Sequence, residues 1–354
     1  MVIRQHPDGA VPLNNHSRPI MSPGECSSPY NLSMPALLVA PMMEWTDRHC
    51  RQLHRRFSPN ARLYTEMVTT GAILHGPRER LLAFNPAEQP LALQLGGCDP
   101  DELAQCAAIA EQAGFAEVNL NIGCPSDRVQ HARIGACLMA EPTLVGRCTE
   151  AMRKATSLPV TVKCRLGLDK HDDDEFLFRF IESVAESGVT EFALHARIAV
   201  LSGLSPAQNR SVPPLNYARV ARTRARYPEL TLMLNGGIDS VEQASKLVAE
   251  TGCDGAMIGR AAYHNPWLLA ELEHQWFGTA LPATRLAPVF DYLDYIRVEL
   301  TQGTRLHSIT RHMLGVASGL PGARAYRRHL SEHANKSEAN LDTLTAALEL
   351  IRAC

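Results

Sequence analysis

Segment 119–126, Asn-Leu-Asn-Ile-Gly-Cys-Pro-Ser, places a cysteine where the backbone has to turn. The Gly and Pro that flank Cys124 end regular structure, so a strand leading into the segment stops and leaves the thiol on a loop. Asn119 and Asn121 alternate along that strand, so both face the same way and need hydrogen-bond partners if buried. A thiol with an ordinary pKa of about 8.5 is protonated at neutral pH and can act as a general acid. The alternative is a cysteine that only fills apolar space.

Two other segments have the residue types of a phosphate site. Gly236-Gly237 and Gly259-Arg260 each follow an apolar strand pattern, the seventh and eighth along the chain. The glycines let backbone N–H groups approach phosphate oxygens, and Arg260 adds a positive charge. In a β/α barrel, a phosphate often binds after these two strands.

Lys163 and Gln94 also lie near the ends of strand patterns. Lys163 suits an electron-rich ring edge, such as the N1/O2 side of a reduced flavin, and Gln94 can donate and accept at a pyrimidine-like edge. A phosphate together with a polar-edged ring has the shape of FMN. The alternative for Lys163 is an ion pair with Glu66 at the mouth of a barrel.

The elements that would position these residues are strands that alternate with amphipathic helices. The predicted strands are Ala36–Ala40, Leu63–Val68, Leu91–Leu95, Glu117–Asn121, Val160–Arg165, Glu191–His195, Leu230–Asn235 and Gly255–Gly259. The clearest predicted helices are Pro100–Ala113, Pro142–Ala155, Asp174–Ser187 and Ser240–Thr251. This α/β pattern predicts a (β/α)8 TIM barrel followed by a C-terminal helical domain. An open doubly wound sheet usually carries Gly-x-Gly-x-x-Gly after its first strand, and this chain has no such motif.

The composition excludes several classes of protein. The chain has 354 residues, 45% of them hydrophobic, and a formal net charge of -2, so a nucleic-acid contact must be a local patch. Ten cysteines without a Cys-x-x-Cys pair argue against zinc ribbons and thioredoxin-type sites, and no metal is expected. No apolar run approaches the roughly 18 residues of a membrane span, and the N-terminus lacks the apolar core of a secretory signal. We therefore predict a cytoplasmic protein without a membrane segment.

The chain divides into three predicted parts. Residues 1–34 are rich in Pro, Ser, Asn and Gly and are predicted to be a disordered N-terminal extension. Residues 35–280 form the predicted FMN-binding catalytic barrel, and residues 281–354 form a helical domain. We expect a monomer that needs no stable protein partner.

The C-terminal helical part has a strongly basic stretch, because no acidic residue occurs between Glu299 and Glu332. Its basic residues are Arg305, Arg311, Arg324, Arg327 and Arg328, with His307, His312 and His329. Arginine suits bidentate contacts with phosphate, so the stretch predicts a surface that binds a nucleic-acid backbone. The alternative is an ordinary solvated helix face.

These motifs together resemble the tRNA-dihydrouridine synthase family, and most closely its A-type bacterial branch. The resemblance runs from about Leu38 to the C-terminus and is carried by Ala40–Met42, Leu63–Thr70, Leu93–Gly97, Asn119–Gln130, Asn235–Ile238 and Arg311–Gly315. It implies an enzyme with tightly bound FMN, reduced by NADPH, that reduces the 5,6 double bond of D-loop uridines at positions 20 and 20a of tRNA.

The resemblance also implies residue roles. Hydride would pass from flavin N5 to uracil C6, and Cys124 would protonate C5. Asn121 would face the uracil or the reactive edge of the flavin. A flipped uridine must reach Cys124 while the tRNA body stays outside, so we expect Arg197 and Arg210 on one rim of a tRNA cleft and Arg324, Arg327 and Arg328 on the other. The implied cofactor contacts are Pro41, Met42, Gln94, Lys163, His195, Asn235, Gly236, Gly237, Gly259 and Arg260.

Two other functions fit part of the pattern. An FMN-dependent oxidoreductase of a free pyrimidine, like a dihydroorotate or dihydropyrimidine dehydrogenase, would use the same strand-end residues but would not need a basic helical domain. A protein that only binds and stabilises tRNA would not need Cys124 or the flavin residues.

Overall fold

The computed structural model describes residues 34–351, in which parallel strands alternate with helices. Within these residues the strands are β1 (Ala36–Val39), β2 (Leu63–Tyr64), β3 (Val68–Thr69), β4 (Leu91–Gly96), β5 (Glu117–Ile122), β6 (Val160–Arg165), β7 (Glu191–His195), β8 (Thr231–Asn235) and β9 (Gly255–Ile258). Short 3-10 helices lie at Pro86–Glu88, Gly135–Ala140 and Gln208–Arg210.

The α-helices up to the eighth barrel repeat are α1 (Arg48–Phe57), α2 (Thr70–His75), α3 (Arg78–Leu82), α4 (Pro100–Gln112), α5 (Asp127–His131), α6 (Pro142–Ala155), α7 (Asp174–Ala185), α8 (Tyr217–Arg226), α9 (Val241–Thr251), α10 (Arg260–His264) and α11 (Trp267–Phe277). The four α-helices with predicted bounds, α4, α6, α7 and α9, begin and end within two residues of those bounds. Asp99 caps α4 by accepting from two backbone N–H groups, and Ser240 caps α9 by accepting from one, that of Gln243. Gly252 ends α9 in the left-handed conformation that glycine adopts without strain.

The sheet closes into a barrel, which confirms the predicted fold. The strands pair in parallel in the order β1-β9-β8-β7-β6-β5-β4-β2, and β3 pairs with β4. The circle is completed between β1 and the residue before β2, where Val39 N donates to Arg62 O and Arg62 N donates to Leu37 O, both at 2.9 Å. All strands therefore end on one side, where the loops with the predicted site residues begin.

The second predicted strand, Leu63–Val68, is wrong as a continuous element. It is split into β2 and β3 because Gln94 N donates to the side-chain hydroxyl of Thr65 (3.0 Å) rather than to a backbone carbonyl. The ladder is interrupted there, and Glu66 leaves the strand to accept a hydrogen bond from Glu44 N.

The barrel interior is small and has a polar floor. Its apolar layer consists of Leu38, Ala40, Tyr64, Ala92, Ala193, Met233 and Met257. Below that layer, Arg62 pairs with Glu117 (2.6 Å) and Glu191 near the start of the strands. The larger hydrophobic core lies outside the barrel, between the strands and the surrounding helices.

Five helices follow the barrel, and no strand occurs between residues 259 and 351. They are α12 (Ala287–Phe290), α13 (Leu293–Thr301), α14 (Leu306–Thr310), α15 (Ala323–His333) and α16 (Leu341–Glu349). They contact the barrel around α1, where Arg48 pairs with Glu299 (2.6 Å) and Tyr292 donates to His49 O (2.8 Å). The boundary at residue 281 stays a prediction.

Among the helices of residues 34–351, none has the length and apolar character that a membrane crossing needs. Apart from Met34, the predicted N-terminal extension lies outside the described residues.

Candidate active site

Parallel register brings polar side chains of neighbouring strands to one end of the barrel interior. Asn121 of β5 pairs in register with Lys163 of β6, Arg165 of β6 with His195 of β7, and His195 with Asn235 of β8. Lys163 Nζ donates to Asn235 Oδ1 at 3.1 Å, across the intervening strand β7. Only side chains that point into the barrel can make that contact, so these residues share its mouth.

The three carboxamides of Gln94, Asn119 and Asn121 form one buried group. Gln94 Nε2 donates to Asn119 Oδ1 at 2.7 Å, and Asn121 Nδ2 donates to Gln94 Oε1 at 2.8 Å. The two asparagines thus face the same way, as their spacing indicates. Each terminal NH2 group has a second N–H, so Gln94 and Asn121 each have one N–H donor beyond these bonds.

The loop after β5 holds Cys124 from several directions. Asn121 Oδ1 accepts hydrogen bonds from Gly123 N (3.1 Å) and Cys124 N (2.9 Å), and Cys124 O accepts one from Ala136 N (2.9 Å). Gly135 is required here, because its φ is +79° and a Cβ would lie 2.6 Å from Cys124 O. Cys124 itself is partly exposed.

Partial exposure distinguishes Cys124 from the space-filling thiols of the core. Five cysteines of the described chain are buried, namely Cys50, Cys106, Cys148, Cys164 and Cys253. Burial raises the pKa of each of them. A cysteine that only fills apolar space is therefore a better description of those five residues than of Cys124.

Two side chains tie the Cys124 loop to the loop after β7. Gln130 Nε2 donates to Pro125 O (3.0 Å) and Leu201 O (3.1 Å). Arg165 Nε donates to Gly123 O (2.9 Å), and its Nη1 donates to two carbonyls of the β7 loop, those of Ile198 and Asn209. Sequence reasoning missed Gln130 as a contact between loops, because no local pattern shows which distant carbonyls a glutamine will reach.

Lys163 has no carboxylate partner in residues 34–351, so the alternative of an ion pair with Glu66 is wrong. Burial, and next the charge of Arg165, lower the pKa of the Lys163 amine to about 8. Burial likewise lowers the pKa of Arg165 to about 10. The mouth therefore contains cationic groups that an anionic ligand would stabilise.

The depressed pKa of Lys163 predicts a pH-dependent stability. Between pH 8 and 10.5 the unfolded chain binds this proton and the folded chain does not, so the free energy of unfolding should rise with pH in that window. Lys163→Met should remove this rise. The test is urea unfolding of flavin-free parent and variant from about pH 7 to about pH 10. A difference between the two proteins that is constant over this range would contradict the assignment.

The ring of His195 packs against the backbone of Gly236. Gly236 has a φ of +110° and Gly237 a φ of +75°, and a Cβ on Gly236 would lie 2.6 Å from His195 Cδ2. Tyr217 Oη donates to Gly236 O at 2.8 Å and fixes the turn from the other side. Burial, reinforced by the charges of Arg165 and Lys163, holds the pKa of His195 well below its usual range, so its ring is neutral.

Arg197 and Arg210 lie near enough to His195, which packs on this turn, for their charges to help lower its pKa. Arg260 Nη2 donates to Arg210 O at 3.3 Å, and Arg260 and Arg210 are both exposed. Neither forms an ion pair with a carboxylate in the described part of the chain, and the same is true of Arg197. The guanidinium of Arg197 instead donates to the backbone carbonyls of Ser211 and Pro213. Gly259 stands directly before Arg260, and an added Cβ there would make only an ordinary contact with Ala40 Cβ at 3.9 Å.

Pro41 and Met42 lie on the loop after β1, which the C-terminal helices hold. Met42 N donates to Thr46 Oγ1 at 2.9 Å, which closes the turn. One residue further on, Asp47 Oδ2 accepts from His312 Nε2 at 2.9 Å. Although burial raises the pKa of Asp47, its bond and charge interaction with His312 outweigh this and lower the value to about 2.

The basic stretch of the C-terminal helices separates into two groups. Arg311 and His312 face the β1 loop, where Arg311 donates to Glu44 O and Asp47, so they have structural partners. Arg324, Arg327 and Arg328 are exposed on α15. None of these three forms an ion pair with an acidic side chain in residues 34–351. Within the same residues, no hydrogen bond joins them to the polar side chains at the mouth of the barrel.

Fold and site together define a barrel enzyme whose mouth combines a thiol, a lysine and a glycine turn. The chain matches the family described as Dihydrouridine synthase (Dus) over residues 38–352. A Vibrio cholerae protein named tRNA-dihydrouridine(20/20a) synthase is 53% identical over 317 residues, which cover 89% of this chain and 96% of the relative. Proteins of the same name from Shewanella oneidensis and Escherichia coli K12 are each 52% identical over 315 residues, covering 89% and 88% of this chain and 93% and 90% of the relatives.

The chain therefore belongs to the dihydrouridine synthase family, whose members are flavin-dependent oxidoreductases that act on tRNA. The predicted family and the predicted class of enzyme are confirmed. The roles of the individual site residues stay predictions.

Proposed function

We propose that this chain reduces the 5,6 double bond of uridines 20 and 20a in the D-loop of tRNA, with FMN as tightly bound cofactor and NADPH as reductant. The activity named for relatives with 52–53% identity over nearly nine tenths of the chain supports this. The structural observation that carries the proposal is the position of Cys124. Its partly exposed thiol stands on a loop that Asn121 and Arg165 hold through hydrogen bonds to Cys124 N and Gly123 O. Asn121 pairs in register with Lys163 of the neighbouring strand, which places this loop beside the cationic residues of the mouth.

The residues at the mouth fit FMN. Gly236 and Gly237 have positive φ angles and no side chain, so their backbone N–H groups can come close to phosphate oxygens. Arg260 and Arg210 supply charge for a phosphate, and Lys163 supplies a cation for the electron-rich edge of the ring. Gln94, Asn235, Pro41 and Met42 would contact the remaining ring and ribityl atoms.

When bound, reduced FMN supplies the hydride that is added to uracil C6. The negative charge that then develops on the uracil would be stabilised by the charge of Arg165, while Lys163 stays at the electron-rich edge of the flavin ring. Cys124 donates its proton to C5, which completes the reduction, and regains a proton from solvent. Asn121 uses its remaining N–H to orient the base, while its Oδ1 keeps the Cys124 backbone in place.

The direct test of the function is nucleoside mass spectrometry of unmodified tRNA incubated with the protein, FMN and NADPH. We expect dihydrouridine at positions 20 and 20a and none when NADPH is omitted. Reduction of free uracil or orotate, with tRNA left unchanged, would replace the proposal by the free-pyrimidine oxidoreductase. Binding of tRNA without any reduction would leave only an RNA-binding protein.

The cofactor predicts a visible property of the protein. The purified chain should be yellow, with the absorbance of FMN, because the glycine turn and its cations retain the phosphate. Absorbance spectra before and after addition of FMN measure this. A colourless protein that FMN does not reconstitute would remove the mechanism.

The C-terminal helices are proposed as one wall of the tRNA cleft, with Arg197 and Arg210 on the opposite rim. Replacing Arg324, Arg327 and Arg328 together by alanine should weaken tRNA binding, because three cations without acidic partners are lost. The slope of log K against log salt should become shallower by about 2 to 3 units if each contacts one phosphate. Binding titrations over a range of salt concentrations measure the slope, and flavin reduction by NADPH should be unchanged.

A matched control removes the same charge elsewhere. Arg147, Arg153 and Arg179 are exposed on the barrel helices α6 and α7 and have no ion pair in residues 34–351, and their replacement by alanine changes the net charge by the same amount. We expect a much smaller change in slope from this control. Equal effects of the two triple variants would mean that only overall charge matters and that α15 is a solvated face.

Three finer expectations belong to the same proposal. They are a preference for NADPH over NADH, a monomeric state and a cytoplasmic location. Steady-state kinetics with both nucleotides and size-exclusion chromatography with light scattering test the first two.

A further inference from the structure

A continuous chain of hydrogen bonds runs through the barrel interior from its floor to the Cys124 loop. Thr161 Oγ1 donates to Glu117 Oε1 (2.5 Å), and Asn119 Nδ2 donates to Thr161 Oγ1 (2.7 Å). Gln94 and Asn121 extend the chain, each donating to the preceding member at 2.7 and 2.8 Å. Cys124 N then donates to Asn121 Oδ1 at 2.9 Å. All five side chains are buried.

The two ends of this series of hydrogen bonds have fixed roles: one end can only accept and the other can only donate. The Glu117 carboxylate only accepts, and it takes hydrogen bonds from Arg62 (2.6 Å) and Tyr64 (3.0 Å) as well as from Thr161. At the other end, a backbone N–H only donates. Every link between them must therefore run in the same sense, from Cys124 N towards Glu117.

That sense determines how each carboxamide is turned. The Thr161 hydroxyl gives its proton to Glu117, so only its oxygen is available to Asn119, which must present Nδ2. The Asn119 oxygen then faces Gln94, which must present Nε2, and its Oε1 faces Asn121. If one amide were turned over, oxygen would face oxygen or N–H would face N–H, which is costly in a buried site.

We propose that Glu117 and Thr161 are positioning residues for the reaction at the mouth, where they fix the orientation of the Gln94 and Asn121 carboxamides and, through Asn121, the backbone of Cys124. Both lie near the start of their strands, while the reacting groups lie at the strand ends. This proposal rests on the proposed function only in that Cys124 is taken as the proton donor. The geometry of the hydrogen bonds does not depend on the proposed function.

Replacement of Thr161 tests the proposal in the middle of the chain. Thr161→Val keeps the branched shape and removes the hydroxyl, so Asn119 Nδ2 loses its acceptor and the amide orientations are no longer fixed. Thr161→Ser keeps the hydroxyl and should restore parent behaviour. Thr223→Val is the matched control, because it removes an equally buried hydroxyl that bonds only to Arg219 O within α8 (2.8 Å).

Two measurements separate positioning from stability. We expect Thr161→Val to lower the rate of uridine reduction about tenfold, while flavin reduction by NADPH stays within about twofold. In the absence of tRNA, the Cys124 peptide of Thr161→Val should be alkylated by iodoacetamide several-fold faster than in the parent, as followed by mass spectrometry. Thr161→Ser and Thr223→Val should match the parent in both measurements.

The proposal is overturned if Thr161→Val matches the parent, if Thr161→Ser is as impaired as Thr161→Val, or if both half-reactions fall equally. Should Thr161→Val fail to fold, Glu117→Gln retains the volume of the side chain. Because Arg62 can only donate, the amide oxygen stays with Arg62 and an N–H faces Thr161 in place of Oε1. The same changes in rate are expected for this variant. Alkylation of Cys124 can be measured without any reduction of tRNA. A parent protein that does not reduce tRNA would therefore contradict the proposed function, and the alkylation rates would still test the positioning role.

Discussion

Replacement of Cys124 by alanine will lower the rate of uridine reduction by about 10²–10⁴-fold, the usual cost of losing a positioned general acid. The partly exposed thiol is held at the barrel mouth by contacts to its own backbone, from Asn121 Oδ1 and Ala136 N, which the alanine variant retains. The loop should therefore keep its shape, and the variant loses the proton donor together with the 3.7 Å contact from Cys124 Sγ to Ser126 Oγ. Flavin reduction by NADPH should continue at the parent rate, since that half-reaction needs no acid at uracil C5.

Single-turnover experiments separate the two half-reactions of the Cys124→Ala variant. Flavin is first reduced with NADPH, and its reoxidation by tRNA is then followed by absorbance. Cys98→Ala is the control, because Cys98 is also partly exposed and lies on the loop after β4. If Cys124→Ala reoxidised at the parent rate, the thiol would be structural and another group would have to protonate C5.

The features that could be predicted from sequence are those set by local chemistry. A run of apolar residues closed by Gly or Pro marks a strand end, and in this chain that rule located the loops that begin at Gly123 and Gly236. Alternation along β5 is enough to place Asn119 and Asn121 on one face. Once the strands are known to form a closed parallel barrel, their ends must meet at one mouth, and residues far apart in sequence become neighbours.

Contacts between distant segments could not be predicted in this way. The split of the second strand depends on Thr65 capturing Gln94 N, which leaves no trace in the pattern of apolar residues. Charge alone placed Arg311 and His312 in one basic stretch with the arginines of α15, yet both turn towards the β1 loop. The direction of the hydrogen bonds through the barrel interior depends on Glu117, and its role can be recognised only when its three donors are known.

Replacement of Gly236 by alanine should lower both the stability of the protein and its affinity for FMN. A φ of +110° disfavours any L side chain, and the new Cβ would lie 2.6 Å from His195 Cδ2 and 3.0 Å from His195 Nε2. Backbone strain of about 1–3 kcal/mol and overpacking of about 1–3 kcal/mol should together lower the free energy of unfolding by roughly 2–6 kcal/mol. Urea unfolding of parent and variant measures this loss.

Gly203→Ala separates strain from overlap, because Gly203 has a φ of +84° but no atom within 4 Å of an added Cβ. It should show the strain alone, about 1–3 kcal/mol.

The variant at Gly236 can relieve the overlap only by moving the His195 ring or the turn, and either movement displaces the N–H groups proposed to bind the FMN phosphate. If this displacement costs at least about 1.4 kcal/mol of binding free energy, the affinity of the Gly236 variant for FMN falls by about tenfold or more. Gly203→Ala should bind FMN as the parent does. Equal FMN affinity in all three proteins would mean that the phosphate is bound away from this turn, and that the cations at Arg210 and Arg260 serve another anion.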